Sequence, residues 1–205
     1  PDVGGLVSAK GNGAASITAD HYPTPPSLVT RLVQADGGLG AKVRDAGKGD
    51  GFTFLDIGAG EGAISRELIR LGVPPSRITA IELRPECRPA LEAIGVEIII
   101  ADALALPVAM LGRDWDVAIY NPPFGLWDRL RAYYRERARH LYAVGRAGMA
   151  AGAQERAASW REDQPDRYGV PERVCFVITV YRSADTGALL SRSTQDSAGT
   201  AWYHW

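Results

Sequence analysis

Two short segments of the 205-residue chain combine residue types that can do chemistry. In Asn121-Pro122-Pro123-Phe124, two prolines delete two backbone donors and stiffen the chain. The Asn121 amide oxygen and the Pro122 carbonyl are thereby left as two fixed acceptors. An amine attached to an aromatic ring is a poor nucleophile, because its lone pair is delocalised into the ring. Two acceptors that take its N–H bonds favour a pyramidal nitrogen, and the freed lone pair can then attack an electrophile in line. Phe124 is placed to stack on the face of such a ring. The plainer reading of the same residues is a rigid turn, with Asn121 capping a neighbour and Phe124 in the core.

The second segment is Asp56-x-Gly58-x-Gly60, between an apolar run and a helical pattern. A strand, a glycine turn and a helix present free backbone N–H groups where a ligand approaches the chain closely. Gly58-x-Gly60-x-x-Ala63 satisfies the loose dinucleotide fingerprint, so a nicotinamide or flavin oxidoreductase stays open. Asp56 weighs against it: a carboxylate there repels a pyrophosphate and attracts an ammonium group. Glu82 and Asp102 follow at the ends of the next two apolar runs, the first placed for ribose hydroxyls and the second for an adenine amine. A ligand with an amino-acid end, a ribose and an adenine is S-adenosylmethionine. Each acid also has a bland role, Asp56 and Asp102 as helix caps and Glu82 as a surface residue.

These residues need elements to hold them. Thr24-Pro25-Pro26 opens a helix, with Thr24 as its cap. The six glycines between Gly37 and Gly51 read as a flexible connection. From Phe52 the pattern alternates: strand Phe52–Asp56, helix Ala63–Leu71, strand Ile78–Leu83, helix Glu86–Ile94, strand Val96–Ala101, a short helix near Leu104–Leu111, and strand Trp115–Tyr120. Strands alternating with helices imply an α/β fold with a parallel sheet covered on both faces. Further on, Leu126–His140 reads as helix, Leu141–Val144 as a short strand and Gly152–Glu162 as helix. Arg173–Tyr181 and Thr200–Trp205 are β-prone and are expected to pair antiparallel across a polar loop around Ser183–Ser197. Residues 1–18 read as a flexible tail and 19–205 as one domain without a separate target-recognition unit.

Composition narrows the class. A hydrophobic fraction of 46% and a charged fraction of 23% exclude disorder throughout and fibrous repeats. Val96–Leu111, the nearest thing to a membrane span, is interrupted by Glu97, Asp102 and Pro107. Cys87 and Cys175 are far apart, which suits a reducing cytoplasm, and His21, His140 and His204 form no ligand pattern, so no metal is expected. The first residues show neither a basic start nor an apolar signal core, and secretion is not expected.

The net charge of −1 hides an asymmetry. Pro1–Tyr120 holds 11 lysines and arginines against 15 acids, and Asn121–Trp205 holds 12 against 9. Arg129–Arg161 alone carries eight arginines against two glutamates. Arg129, Arg131, Arg135, Arg137 and Arg139, interleaved with Tyr133 and Tyr134, suit phosphate forks and base stacking just downstream of the proposed pocket. A solvated helix face is the alternative.

With these motifs in hand, the chain resembles the class I S-adenosylmethionine-dependent methyltransferases that act on amino groups. Asp56-x-Gly58-x-Gly60 and Asn121-Pro-Pro-Phe124 carry the resemblance. His21-Tyr22-Pro23-Thr24-Pro25-Pro26 is similar to the opening motif of adenine-N6 DNA methyltransferases. Pro171–Phe176 and Asp196–Trp205 are similar to the ending of small phage-type adenine methyltransferases. The resemblance implies a Rossmann-like, mostly parallel seven-stranded sheet with an antiparallel C-terminal strand. It also implies that Asp56, Gly58 and Gly60 hold the methionine end of the cofactor, that Thr24 meets its carboxylate, and that Tyr22 lines the same pocket. Glu82 then takes the ribose and Asp102 the adenine, while Asn121, Pro122 and Phe124 hold the target base.

The expected activity is methyl transfer to the N6 amine of adenine in DNA. No segment is long enough to be a separate recognition region, so the expected sequence preference is short or absent. A base inside a duplex must be extruded, or the substrate must be single-stranded. RNA amines and the side-chain amide of a protein glutamine are the nearest alternatives, because the same acceptor pair serves any planar amine. A non-catalytic nucleic-acid-binding module is a further one.

Overall fold

The computed structural model describes residues 23–35, 37–49, 51–106, 115–146, 167–169, 175–182, 189–195 and 200–204. Tyr22, the tail and the helix read over Gly152–Glu162 lie outside the described residues, as do residues 107–111 of the helix read near Leu104–Leu111.

Five parallel strands form the centre: β1 (Phe54–Ile57), β2 (Ile78–Glu82), β3 (Glu97–Ile100), β4 (Trp115–Tyr120) and β5 (Ala138–Arg146). β9 (Thr200–His204) pairs antiparallel with β5 and with β6 (Arg167–Gly169), completing a seven-stranded sheet ordered β3-β2-β1-β4-β5-β9-β6. All four residues of β1 and all five of β2 are buried, as strands covered on both faces must be.

Side chains alternate between two cores. Phe54, Ile78, Ala80, Val117 and Ile119 face one side. It is covered by α1 (Pro26–Ala35), α2 (Gly37–Asp45), α3 (Ala63–Arg70) and α4 (Arg88–Glu92), through Val29, Leu39, Ile64 and Leu91 among others. Leu55, Ile57, Ile81 and Ala118 face the other side, packed with Trp127, Leu130 and Tyr134 of α5 (Trp127–Arg135).

Three expectations are corrected. The glycine-rich stretch from Gly37 is not a flexible connection: Gly37–Asp45 is helix α2, because Leu39 and Val43, one turn apart, bury against the core. A Cβ at Gly40 would lie 2.9 Å from the Val33 carbonyl oxygen, so glycine there serves close packing of α2 on α1. The helix expected over Leu126–His140 ends at Arg135, and the chain re-enters the sheet at Ala138. Finally, β7 (Cys175–Arg182) pairs with β8 (Leu189–Gln195), a strand inside the stretch read as polar loop, and not with β9. The nearer partner closes the shorter loop at less entropic cost, and β9 is left to pair with β5.

The strand order fixes where a ligand can sit. The chain runs outward from β1 through β2 to β3, then crosses back to place β4 on the other side of β1. A crevice opens outside the carboxyl ends of the strands where the order reverses.

Candidate active site

The register sets Ile57 beside Ile81 on one neighbour and beside Tyr120 on the other. The turn after β1, Glu82 and Asn121 therefore leave the sheet side by side, and Gly58, Gly60, Glu82, Asp102, Asn121 and Pro122 all line one cleft.

The turn is stapled to β2: the Gly58 and Ala59 N–H groups both donate to the Ile81 carbonyl, at 2.9 and 3.0 Å. Gly58 has φ +69° and lies exposed on the cleft, with nothing within 4 Å of where a Cβ would be. A side chain there would be strained and would stand in the cleft itself, so the glycine leaves a cradle open to a ligand.

Glu82 is buried at the end of β2. Its Oε2 accepts from the Gly60 N–H at 2.7 Å, and its Oε1 accepts from the backbone N–H and the Nε of Arg84 at 3.0 and 2.9 Å. Burial works against the charged form, but the Arg84 and Gly60 hydrogen bonds and the Arg84 charge outweigh it, holding the carboxyl below its usual range. Glu82 is thus ionised, oriented and on the cleft wall.

Asp56 sits elsewhere than its expected contact requires. It is completely buried and is not part of the cleft wall. Its Oδ2 accepts from both the backbone N–H and the hydroxyl of Ser65, at 3.0 and 2.7 Å. That satisfies a donor in the first turn of α3, which has no side-chain cap of its own. Its Oδ1 has no hydrogen-bond partner among the described residues. Burial pushes the carboxyl up to about 6, against the lowering effect of Ser65. The helix-capping role is the one the geometry supports for Oδ2.

Asp102 is exposed on the cleft, and its Oδ1 accepts from the Leu104 N–H at 2.9 Å. Asn121 is half-buried, and its Nδ2 donates to Thr24 Oγ1 at 2.9 Å. Thr24 is buried where α1 begins, and it lines the cleft with Pro23. Pro122 is buried beside Asn121; the Phe124 side chain lies outside what is described.

The arginine-rich segment divides by helical phase. Trp127, Leu130, Arg131 and Tyr134 form the buried face of α5, so Arg131 and Tyr134 are not the surface contacts expected of them. Arg131 is buried near Asp128, and the Tyr134 hydroxyl donates to the Ala103 carbonyl at 2.8 Å. Tyr133 is half-buried under the Arg137 guanidinium, 3.8 Å from its ring centre. Arg135 is half-buried, Arg129 is exposed, and Arg139 is exposed with an ion pair to Asp116 at 3.2 Å.

Several cleft features carried no sequence signal. Arg84 reaches back to Glu82 across two residues, a contact that spacing alone does not announce. Leu83 and Leu126, 47% and 37% exposed, put apolar side chains at the cleft rim. Both suit the faces of flat ring systems. Among the described residues no cluster of metal-ligating side chains occurs, and no helix is long and apolar enough to cross a membrane.

No protein-family model matches the chain. It is 25% identical to the ribosomal RNA small subunit methyltransferase A of Chelativorans sp. (strain BNC1), over 97% of this chain and 82% of that protein. Among solved structures, the S-adenosylmethionine-dependent O-methyltransferase of Thermotoga maritima superposes with a TM-score of 0.58 at 17% identity, covering 90% of this chain and 66% of that one. The magnesium protoporphyrin IX methyltransferase of Synechocystis PCC 6803, solved with bound S-adenosylmethionine, gives 0.51 at 11% identity, covering 87% and 77%. The chain has the fold of the class I S-adenosylmethionine-dependent methyltransferases, and S-adenosylmethionine is the cofactor of that class. The acceptors named in these three proteins differ, so the fold leaves the acceptor open.

Proposed function

We propose that this chain is an enzyme that moves a methyl group from S-adenosylmethionine to the exocyclic amine of an adenine in RNA. The observation that carries the reading is the sharing of one cleft by Asn121, Glu82 and the Gly58 cradle. The cofactor supplies an electrophilic sulfonium methyl. Gly58 and Gly60 would admit its amino-acid end against the backbone, and Glu82, already ionised, would accept from its ribose hydroxyls. Asp102 and the apolar Leu83 would flank its adenine. Asp56 would act from beneath the turn, by fixing α3 and through its charge, and not by direct contact. Asn121 Oδ1 and the Pro122 carbonyl would take the two N–H bonds of the target amine, with Leu126 on the pocket rim. The nitrogen sheds a proton readily after alkylation, so no strong general base is required beforehand.

RNA is favoured over DNA because a relative matched over 97% of this chain is named for ribosomal RNA. The similarity of His21–Pro26 to the opening motif of DNA adenine methyltransferases keeps DNA as the second reading. Both use the same acceptor pair. The test is incubation with methyl-labelled S-adenosylmethionine and unmethylated RNA, DNA or protein, followed by nucleoside and peptide mass spectrometry. N6-methyladenosine from RNA is the expected product. Label in deoxyadenosine alone would select the DNA reading, and label only in glutamine would discard nucleic acid. Absence of S-adenosylmethionine binding in calorimetry would end the enzymatic reading.

A further inference from the structure

An asparagine amide has two unlike ends, and only one of them can serve an amine. The oxygen can accept an amine N–H; the NH2 end would set donor against donor. Which end faces the target is decided by whatever grips the amide from the other side. Here that grip is Thr24, whose Oγ1 accepts from Asn121 Nδ2 at 2.9 Å across 97 residues of sequence. Thr24 is buried, and the helix it precedes is itself tied down. Thr30 of α1 donates to Glu67 Oε1 on α3, and Arg70 holds the same carboxylate at 2.6 and 2.8 Å. The threonine hydroxyl is therefore held in place, and the amide meets it by its nitrogen.

We infer that Thr24 is a positioning residue that locks the Asn121 amide with its oxygen available to the substrate amine. The inference rests on the methyl-transfer reading and adds to it the device that keeps the acceptor from turning over. Without the hydroxyl, the two flipped forms of the amide compete, and the wrong one opposes the target.

Turnover at saturating cofactor tests this, because any change in cofactor affinity then drops out. Thr24→Val, equal in shape but without the hydroxyl, is expected to lower kcat about tenfold, the worth of one orienting hydrogen bond. Thr24→Ser keeps the hydroxyl and is expected to recover most of that loss. A carboxylate has two equal oxygens and no wrong end, so in an N121D background Thr24→Val is expected to cost less than about threefold. An equal penalty in both backgrounds, a serine that recovers nothing, or a valine variant as active as the parent would each overturn the assignment. Should N121D alone lack turnover, the valine and serine variants decide by themselves. A parent enzyme that binds S-adenosylmethionine but methylates no amine would sink the methyl-transfer reading and this inference with it. An active parent with an equally active valine variant sinks the inference alone.

Discussion

At the scale of single residues, the cleft separates groups that touch a ligand from groups that hold those groups still. On the proposed reading Asn121 would belong to the first kind. Asn121→Ala is expected to lower kcat by about 100- to 1000-fold, the usual cost of losing one preorganised hydrogen-bonding group, while the cofactor dissociation constant stays within about threefold. Steady-state turnover beside calorimetry checks the split. Asp56 belongs to the second kind, and its titration has a stability signature. Its folded value, about 6, lies above the ordinary 3.8, so the protonated form favours the fold. That stabilisation is complete below about pH 3.8 and is lost as pH rises through 6, an amount on the order of 3 kcal/mol. Asp56→Asn cannot titrate, so the stability of the parent relative to this variant is expected to fall by up to that amount between pH 4 and 7. Urea unfolding across the window measures it, and a flat difference would refute the burial argument.

At the scale of elements, α5 links the two halves of the cleft. It follows Asn121-Pro-Pro-Phe124 directly, and its Tyr134 hydroxyl pins the Ala103 carbonyl in the turn that carries Asp102. Tyr134→Phe is expected to cost about 1 kcal/mol of stability and to raise the cofactor dissociation constant about threefold to tenfold as that turn loosens. Thermal unfolding and calorimetry report the two effects. The elements were legible to different degrees for physical reasons. β4 was readable over Trp115–Tyr120 because, past Asp116, Val117–Tyr120 is an unbroken apolar run, as a strand end buried on both faces requires. α2 was not, because glycines that serve close packing look the same in sequence as glycines that serve flexibility. In α5 the arginines and tyrosines were read by their number and not by their helical phase, which puts Arg131 and Tyr134 inside. Glu82 and Asn121 stand at the ends of β2 and β4 as read, whereas Asp56 lies buried within β1, and the hydrogen bonds of Glu82 with Arg84 and Asn121 with Thr24 depend on folded geometry.

At the scale of the whole molecule, the charge asymmetry gives a binding expectation that phase refines. Arg129 and Arg139 are exposed, so replacing both by alanine is expected to weaken RNA binding and flatten its salt dependence by about one unit of slope for each phosphate no longer neutralised. Arg131→Ala is expected to leave the slope alone and cost about 1–3 kcal/mol of stability. Filter binding at several salt concentrations separates the two cases. The crossover from β3 back to β4 has a consequence for how the molecule comes into being. Thr24 and Asn121 are joined across a sheet in which two strands lie on one side of β1 and the next has crossed to the other, so a chain made only as far as β3 lacks the pair. A nascent chain emerging in order would hold its glycine turn long before it holds a complete reaction chamber.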